Sequence, residues 1–473
     1  MPVKIALPKG RLLDRTAVLL RLAEWGLDGY HEEARFYHIR SQKFPTLTAK
    51  VFHEKDIPIQ VAVGNYDLGI CGLDWVEELL AKYPSSTLVK IKGLGYDLGS
   101  LYVVAGRAEE IPAVAEVKAR KDVIRIASEY PNLAESFALK NRLGRFSVFP
   151  VWGGAEVYPP ENAELALIRG QTETEFASLN LVSVSKMLDF GAFLIANRYS
   201  WESKSLAKMV ASICDSCHKF SPDKESPASG AVAGPKITLQ SPGTTDGDIR
   251  FVLPDGHQQK PVRQLLDRAG IKIDDYPSET GNRRPVIGLD GVVVKVIRPQ
   301  DMPWQVANGN CDLAVTGEDW LREHLYQFPS SPVKELLKLR FGKVRIVAVV
   351  SQELSAAGIS GLRQLGAERL EPVRVASEYV NIADKFAREN HLGHYRVVPT
   401  WGATEAFLPE DADLLIENTQ TGKTIADHNL KIIDTLFEST GCLIGGKSID
   451  FSTGKGKKIA EIMTTLRGAV EGT

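Results

Sequence analysis

The sequence predicts an α/β protein built from two copies of one domain, and three observations carry that prediction. A set of short motifs occurs twice in the same order. Gly64-Asn65-Tyr66-Asp67-Leu68-Gly69, running into Gly72-Leu73-Asp74-Trp75, returns as Gly309-Asn310-Cys311-Asp312-Leu313-Ala314, running into Gly317-Glu318-Asp319-Trp320. Ala127-Ser128-Glu129-Tyr130-Pro131-Asn132 returns as Ala376-Ser377-Glu378-Tyr379-Val380-Asn381, and Trp152-Gly153-Gly154-Ala155-Glu156 as Trp401-Gly402-Ala403-Thr404-Glu405. The register between copies is steady, from 64 against 309 early to 156 against 405 late. Within each copy, short β-branched runs alternate with helical patterns, the mark of an α/β fold. So long a spacing means a duplicated domain rather than a solenoid, whose repeats run to about 20–50 residues.

The elements follow in order. Val3-Lys4-Ile5-Ala6-Leu7 reads as a strand. Residues 12–25 read as a helix, with Leu13, Ala17 and Leu20 apolar along one face. Residues 67–71 form a short buried strand, and Asp74 begins the next helix; Asp74 and Asp319 are read as helix caps, with a ligand role as the alternative. Ile124-Arg125-Ile126-Ala127 is a strand, with Pro131-Asn132 opening the helix after it. Residues 192–196 make a last strand before a terminal helix over 203–213. Copy two repeats the order from Ile249 to Leu466. The elements fall into two groups, up to about residue 100 and from about 101 to 180, with the last strand and helix rejoining the first. Two lobes with a cleft between them follow, and ligands in such sheets bind at the carboxyl ends of strands. Trp75 and Trp320 are expected to anchor cores.

The domain plan is therefore a first repeat over 1–214, a linker over 215–247 and a second repeat over 248–473. The stretch from Pro222 to Gly247 is rich in Pro, Ser, Gly, Thr and Lys, with too few large apolar residues for a core. Composition adds exclusions. With 473 residues, 44% hydrophobic and 25% charged, the chain is long enough for several cores. A net charge of −2 gives no support for a nucleic-acid or membrane-surface binder. No apolar run approaches the roughly 18 residues of a membrane span. The first residues lead straight into a strand, which predicts no signal peptide, and five scattered cysteines suit a reducing cytoplasm.

The chemistry concentrates at 411–430, where a strand ending in Glu417 leads through Asn-Thr-Gln-Thr-Gly-Lys-Thr into a helix. Gly422 lets a ligand approach the backbone, Thr421 and Thr424 offer hydroxyls, and the helix start offers N–H groups to an anion. Glu417 is placed to accept hydrogen bonds from a sugar diol. The bland alternative is an ordinary capped helix after a strand. Gly422-Lys423-Thr424 imitates the end of a Walker A loop, but the upstream glycine of that motif falls at Glu417, so that reading fails on spacing. Copy one carries Ile168, Glu173 and Glu175 where copy two has Glu417, Gly422 and Thr424. A carboxylate about 4 Å from a phosphate charge costs about 4 kcal/mol at an effective dielectric of about 20. Copy one is not expected to hold a phosphate there.

Several motifs in one order make the chain resemble the catalytic subunit of ATP phosphoribosyltransferase, in its short form, across nearly all of both copies. They are Leu7-Pro8-Lys9-Gly10-Arg11-Leu12-Leu13, Asp56-Ile57-Pro58 and Asp301-Met302-Pro303, the paired glycine–aspartate segments, the Ser-Glu-Tyr segments, and the Trp-Gly segments followed by the loop. The resemblance implies a two-lobed, periplasmic-binding-protein type II-like fold in each repeat. It implies Mg²⁺-dependent transfer of phosphoribose from phosphoribosyl pyrophosphate (PRPP) to N1 of ATP, the first step of histidine biosynthesis, with no metal site supplied by protein residues. The 5′-phosphate loop maps onto Thr421, Gly422, Lys423 and Thr424, and the ribose-binding acid onto Glu417. Basic residues for pyrophosphate or ATP map onto Arg298 and Arg345, and onto Lys9 and Arg11 of copy one. Each copy departs from the pattern. Copy two has Asp255-Gly256-His257 in place of Lys9-Gly10-Arg11, while copy one has His53 and Ser100 in place of Arg298 and Arg345. Three readings stay open: copy one supplies Lys9 and Arg11 to copy two, copy two works without them, or neither copy is active. The alternative function is a non-catalytic small-molecule-binding regulatory paralogue. The expected partners are ATP and PRPP, with the repeats forming an intramolecular pseudo-dimer and a possible homo-oligomer. The expected location is the cytoplasm.

Two other features read plainly. Cys214-Asp215-Ser216-Cys217-His218 matches the haem-attachment spacing by coincidence, and His428 reads as a helix-surface residue.

Overall fold

A computed structural model describes residues 1–27, 29–31, 38–107, 113–217, 247–279, 281–354 and 358–472. The stretch 218–246, which holds almost all of the expected linker and His218, lies outside the described residues. The chain divides into two compact units. One comprises Met1–Pro150, the described part of Ala163–Ile237, and Thr400–Phe407; the other comprises Val151–Asn162, the described part of Thr238–Pro399, and Leu408–Thr473. Each unit thus contains a short segment whose sequence belongs to the other repeat.

Each repeat holds two main sheets, as the alternating pattern requires, and the second adds a two-stranded one, Ile273–Asp274 with Val286–Ile287. In the first, the first lobe has strands in the order His38–Arg40, Leu47–His53, Val3–Lys9, Leu68–Gly72, Ala192–Asn197, Leu88–Gly93. Val3–Lys9 pairs in parallel with both neighbours, whereas Ala192–Asn197 runs antiparallel between its own two. The last strand does rejoin the first lobe. The second lobe orders its strands Leu181–Phe190, Gly99–Gly106, Leu165–Gly170, Ile124–Ser128, Phe146–Pro150. The second repeat reproduces both in the same order, without a counterpart of the edge strand His38–Arg40. One runs Val292–Ile297, Ile249–Pro254, Leu313–Gly317, Gly441–Gly446, Val333–Lys338. The other runs Leu430–Ser439, Val344–Ser351, Leu414–Thr419, Val373–Ser377, Tyr395–Pro399. This is the two-lobed, periplasmic-binding-protein type II-like α/β fold expected.

Alternation of β-branched residues explains the strands, and each lobe has its own core. Ile5, Leu7, Leu68, Ile70 and Leu194 are buried in the first lobe of the first repeat, and Phe251, Leu253, Leu313 and Leu443 in the matching core of the second. Trp75 and Trp320 are buried as expected, but in the cores of the second lobes, each stacked on a tyrosine, Tyr130 or Tyr379. The helices that carry them, Leu73–Lys82 and Glu318–Gln327, follow first-lobe strands and so join the lobes of their repeats.

Two local expectations need correction. The terminal helix, expected over 203–213, spans Ala207–Cys217, and a separate short helix, Arg198–Ser203, precedes it, with Lys204 extended between them. Asn197 starts the short helix by accepting from the Ser200 N–H at 3.2 Å. Asp74 and Asp319 do not cap their helices. The N-cap positions are Gly72 and Gly317, and each aspartate is the second helical residue.

Candidate active site

Within the second repeat, the strand Leu414–Thr419 ends at the loop and the short helix Lys423–Asp427 follows. Gly422 takes the left-handed backbone conformation (φ +77°) between them, which suits glycine and strains other residues. Threonine side chains organise the turn. Thr419 Oγ1 accepts from the Gly422 N–H at 2.9 Å, and Thr421 Oγ1 from the Lys423 N–H at 3.3 Å. Thr421, Lys423 and Thr424 are exposed, while Glu417 is half-buried at the strand end. Arg345 lies opposite Thr419 on the neighbouring strand. Its Nη2 comes within 3.9 Å of where a side chain on Gly422 would begin. The structure therefore brings Arg345 to the loop.

The first repeat builds the same turn from acids. Between the strand Leu165–Gly170 and the short helix Glu175–Ser178, Glu175 Oε2 accepts from the Gln171 N–H at 3.0 Å. Ser183 donates to Glu173 at 3.5 Å. Opposite Gly170 stands Ser100, in the place Arg345 holds in the second repeat. Loop and facing residue thus present two carboxylates and a hydroxyl where the second repeat has a glycine, a threonine and an arginine.

Arg298 belongs to the other lobe of the second repeat, just past the strand Val292–Ile297. Its Nη1 is 3.4 Å from Asp255 Oδ2, and Arg283 Nη1 donates to the same oxygen at 3.0 Å. Burial favours the neutral acid, but the two guanidiniums outweigh it and hold the Asp255 carboxyl below its usual range. Arg283 also pairs with Glu156 at 2.8 Å. Gly153 and Gly154 lie flat against these arginines: a side chain would begin 3.1 Å from Arg298 Nε at Gly153 and 3.1 Å from Arg283 Cζ at Gly154. This Gly-Gly-Ala-Glu segment comes from the first repeat yet belongs to the second unit.

Lys9 and Arg11 are placed in the first unit. Lys9 is exposed at the strand end. Arg11 is committed to carboxylates of its own repeat: Nε donates to Glu54 at 2.9 Å, Nη2 lies 3.4 Å from Asp74, and Nη1 pairs with Asp97.

Sequence reasoning passed over several polar residues here. Tyr379 donates to Asp319 Oδ2 at 2.6 Å, Ser439 donates to Asp319 Oδ1 at 2.9 Å, and Asn418 donates to Tyr379 Oη at 3.2 Å. Arg283 was signalled only by its pairing with Arg284 in an otherwise unclassified stretch. Among the described residues no three His, Cys, Asp or Glu side chains group as a metal site, and no helix is long and apolar enough to cross a membrane. His428 is half-buried at the end of the short loop helix.

The fold and this loop define a duplicated, two-lobed α/β protein with one anion-suited strand end. The family model described as ATP phosphoribosyltransferase (HisG) matches residues 53–216 and 298–468. A relative named ATP phosphoribosyltransferase from Saccharolobus solfataricus is 31% identical over 228 residues, covering 47% of this chain and 72% of its own length. One of the same name from Solibacter usitatus is 31% identical over 226 residues, covering 47% and 73%. Among solved structures, the ATP phosphoribosyl transferase (HisG:HisZ) complex from Thermotoga maritima is 18% identical, covering 48% of this chain and all of that one, with a TM-score of 0.39. The alkanesulfonate-binding protein SsuA from Xanthomonas axonopodis pv. citri is 11% identical, covering 47% and 73%, with a TM-score of 0.29. The chain belongs to the HisG family of ATP phosphoribosyltransferases.

Proposed function

We propose that the chain transfers phosphoribose from PRPP to N1 of ATP, releasing pyrophosphate and forming phosphoribosyl-ATP, and that the second repeat holds the PRPP. The observation that carries this reading is the contrast between loops. One repeat pairs a left-handed glycine and exposed Thr421, Lys423 and Thr424 with a nearby arginine, and the other carries two glutamates and a serine.

The 5′-phosphate is assigned to Thr421, Gly422, Lys423 and Thr424, and the ribose diol to Glu417. Adenine N1 is itself a nucleophile, so the protein's work is positioning and charge stabilisation as pyrophosphate leaves. Arg345 and Arg298 are the donors assigned to phosphate oxygens, through the bidentate fork of guanidinium. Mg²⁺ binds with few protein carboxylates and several waters when phosphates supply the remaining ligands. With its ligands drawn mainly from the substrate's phosphates, the ion would neutralise the leaving pyrophosphate.

The domain plan of 1–214, 215–247 and 248–473 stands as part of this proposal, as does a cytoplasmic setting. So does the intramolecular pseudo-dimer, which is supported by the presence in each unit of a segment from the other repeat. For Arg11, the three carboxylates it already meets favour a role inside its own repeat.

The test is an absorbance assay on the intact chain with ATP, PRPP and Mg²⁺, following phosphoribosyl-ATP. Turnover abolished by omitting PRPP supports the reading. No product at high enzyme concentration overturns it.

A further inference from the structure

The cleft of the first repeat is filled by its own side chains. Arg169, on the second-lobe strand Leu165–Gly170, reaches to two buried acids of the other side. Its Nη1 and Nη2 lie 3.5 and 3.4 Å from Glu54 Oε1, and Nη2 also pairs with Asp74 Oδ2. Glu54 follows the first-lobe strand Leu47–His53, and Asp74 opens the helix that joins the lobes. Arg11 bonds the same two acids from the first lobe and adds Asp97. Beside them Lys55 spans the lobes to Glu129 at 2.9 Å, its ammonium 4.6 Å from the Trp75 ring centre. The Arg169 guanidinium also stands 5.5 Å from the rings of Trp75, Tyr130 and Phe190.

Only part of this network is carried over to the second repeat. Strand registers align Arg11 with His257, Glu54 with Pro299, Lys55 with Gln300, Asp97 with Gly342 and Arg169 with Asn418. Five charged residues are replaced together, while the framework they attach to is kept: Asp74 matches Asp319, Tyr130 matches Tyr379 and Glu129 matches Glu378. In the second repeat Asp319 is held by hydroxyl groups instead.

We propose that Arg169 is a built-in ligand of the first repeat's cleft, clamping its two lobes together so that the cleft is closed to substrate. The energetics favour closure. Separating the lobes would strip a half-buried guanidinium from two buried carboxylates and leave those acids underpaired, which costs more than breaking an exposed pair. Burial alone would raise the Glu54 carboxyl, yet Arg169 and Arg11 together bring it below its usual range. The second repeat has an asparagine, Asn418, in place of the clamping arginine, so its cleft is left to a ligand. This inference concerns the first repeat and stands whatever reaction the second performs.

The experiment is hydrogen–deuterium exchange on the intact chain, comparing the wild type with Arg169→Asn, the second repeat's own residue. Peptides over 52–60 and 165–172 are expected to exchange about tenfold faster or more, with those over 414–424 unchanged. Arg169→Asn leaves acids underpaired and can fail to fold. Arg169→Asn/Glu54→Gln, which removes one charge of each sign, then decides by the same comparison. Wild-type exchange over 52–60 and 165–172 in a folded variant overturns the clamp, and equal acceleration at 414–424 overturns its confinement to the first repeat.

Discussion

Arg345 faces Thr419 across neighbouring strands of the second repeat at the register position where Ser100 faces Gly170 in the first. The two antiparallel pairs have the same geometry, so the exchange of arginine for serine is a change of chemistry on an unchanged frame. Arg345 is half-buried and its guanidinium lies beside Gly422, where a bound phosphate would gain a charged partner.

Arg345→Ser, which installs the first repeat's residue, is expected to lower kcat/KM for PRPP by about ten- to a hundredfold. Hydrogen bonds to charged groups contribute about 1.5–3 kcal/mol each. Steady-state kinetics with varied PRPP checks this, and circular dichroism should show an unchanged fold, since the strand keeps its backbone pairing.

Tyrosine removal should affect the two repeats unequally. Tyr379→Phe leaves buried Asp319 with Ser439 but no cation, whereas Tyr130→Phe leaves Asp74 still paired with Arg11 and Arg169. An underpaired buried acceptor costs about 1–3 kcal/mol. Denaturant unfolding should show Tyr379→Phe as the more damaging change. The reverse order would mean that the arginines do not satisfy Asp74.

Acid sensitivity has an identifiable source in the second unit. Glu161 pairs with Arg284 at 2.8 Å and with Lys295 at 2.9 Å. Burial raises its carboxyl, but those partners prevail and bring it down to about 2. Lys295 is itself pushed down to about 8, chiefly by burial, which leaves it charged at neutral pH. A carboxyl depressed in the folded state stabilises above its unfolded pKa, near 4.5, and loses that contribution as pH falls towards about 2. Glu161→Gln should therefore be less stable than wild type at pH 7, with the gap closing between about pH 4.5 and 2. Thermal unfolding across that range measures it.

The fold was legible because β-branched runs and repeated motifs are local signals. The strands' places, though not their last residues, the return of the last strand to the first lobe and the burial of the tryptophans followed from them. The break at Lys204 was not, since nothing apolar changes there. The loop at 417–424 was legible as a contiguous stretch, and its acidic counterpart likewise. The partners of Arg11 were not, because Glu54, Asp74 and Asp97 are distant in sequence and meet it only through the sheet. Arg169 sat unremarked inside Ile-Arg-Gly for the same reason. The Gly-Gly-Ala-Glu segment was recognised as a repeat marker, but pairing of Glu156 with Arg283 depends on which unit the segment joins, which no local pattern encodes.

Titration calorimetry of PRPP with Mg²⁺ tests most directly whether each chain holds a single PRPP site, in the second repeat. Gly422→Glu puts a carboxylate beside Arg345 and a side chain on a left-handed backbone position, recreating the first repeat's charge. Gly422→Ala is the control for backbone strain alone. One PRPP is expected to bind per wild-type chain, with weakened binding in Gly422→Ala and none detectable in Gly422→Glu. Two PRPP per chain, or wild-type affinity in Gly422→Glu, would contradict this assignment.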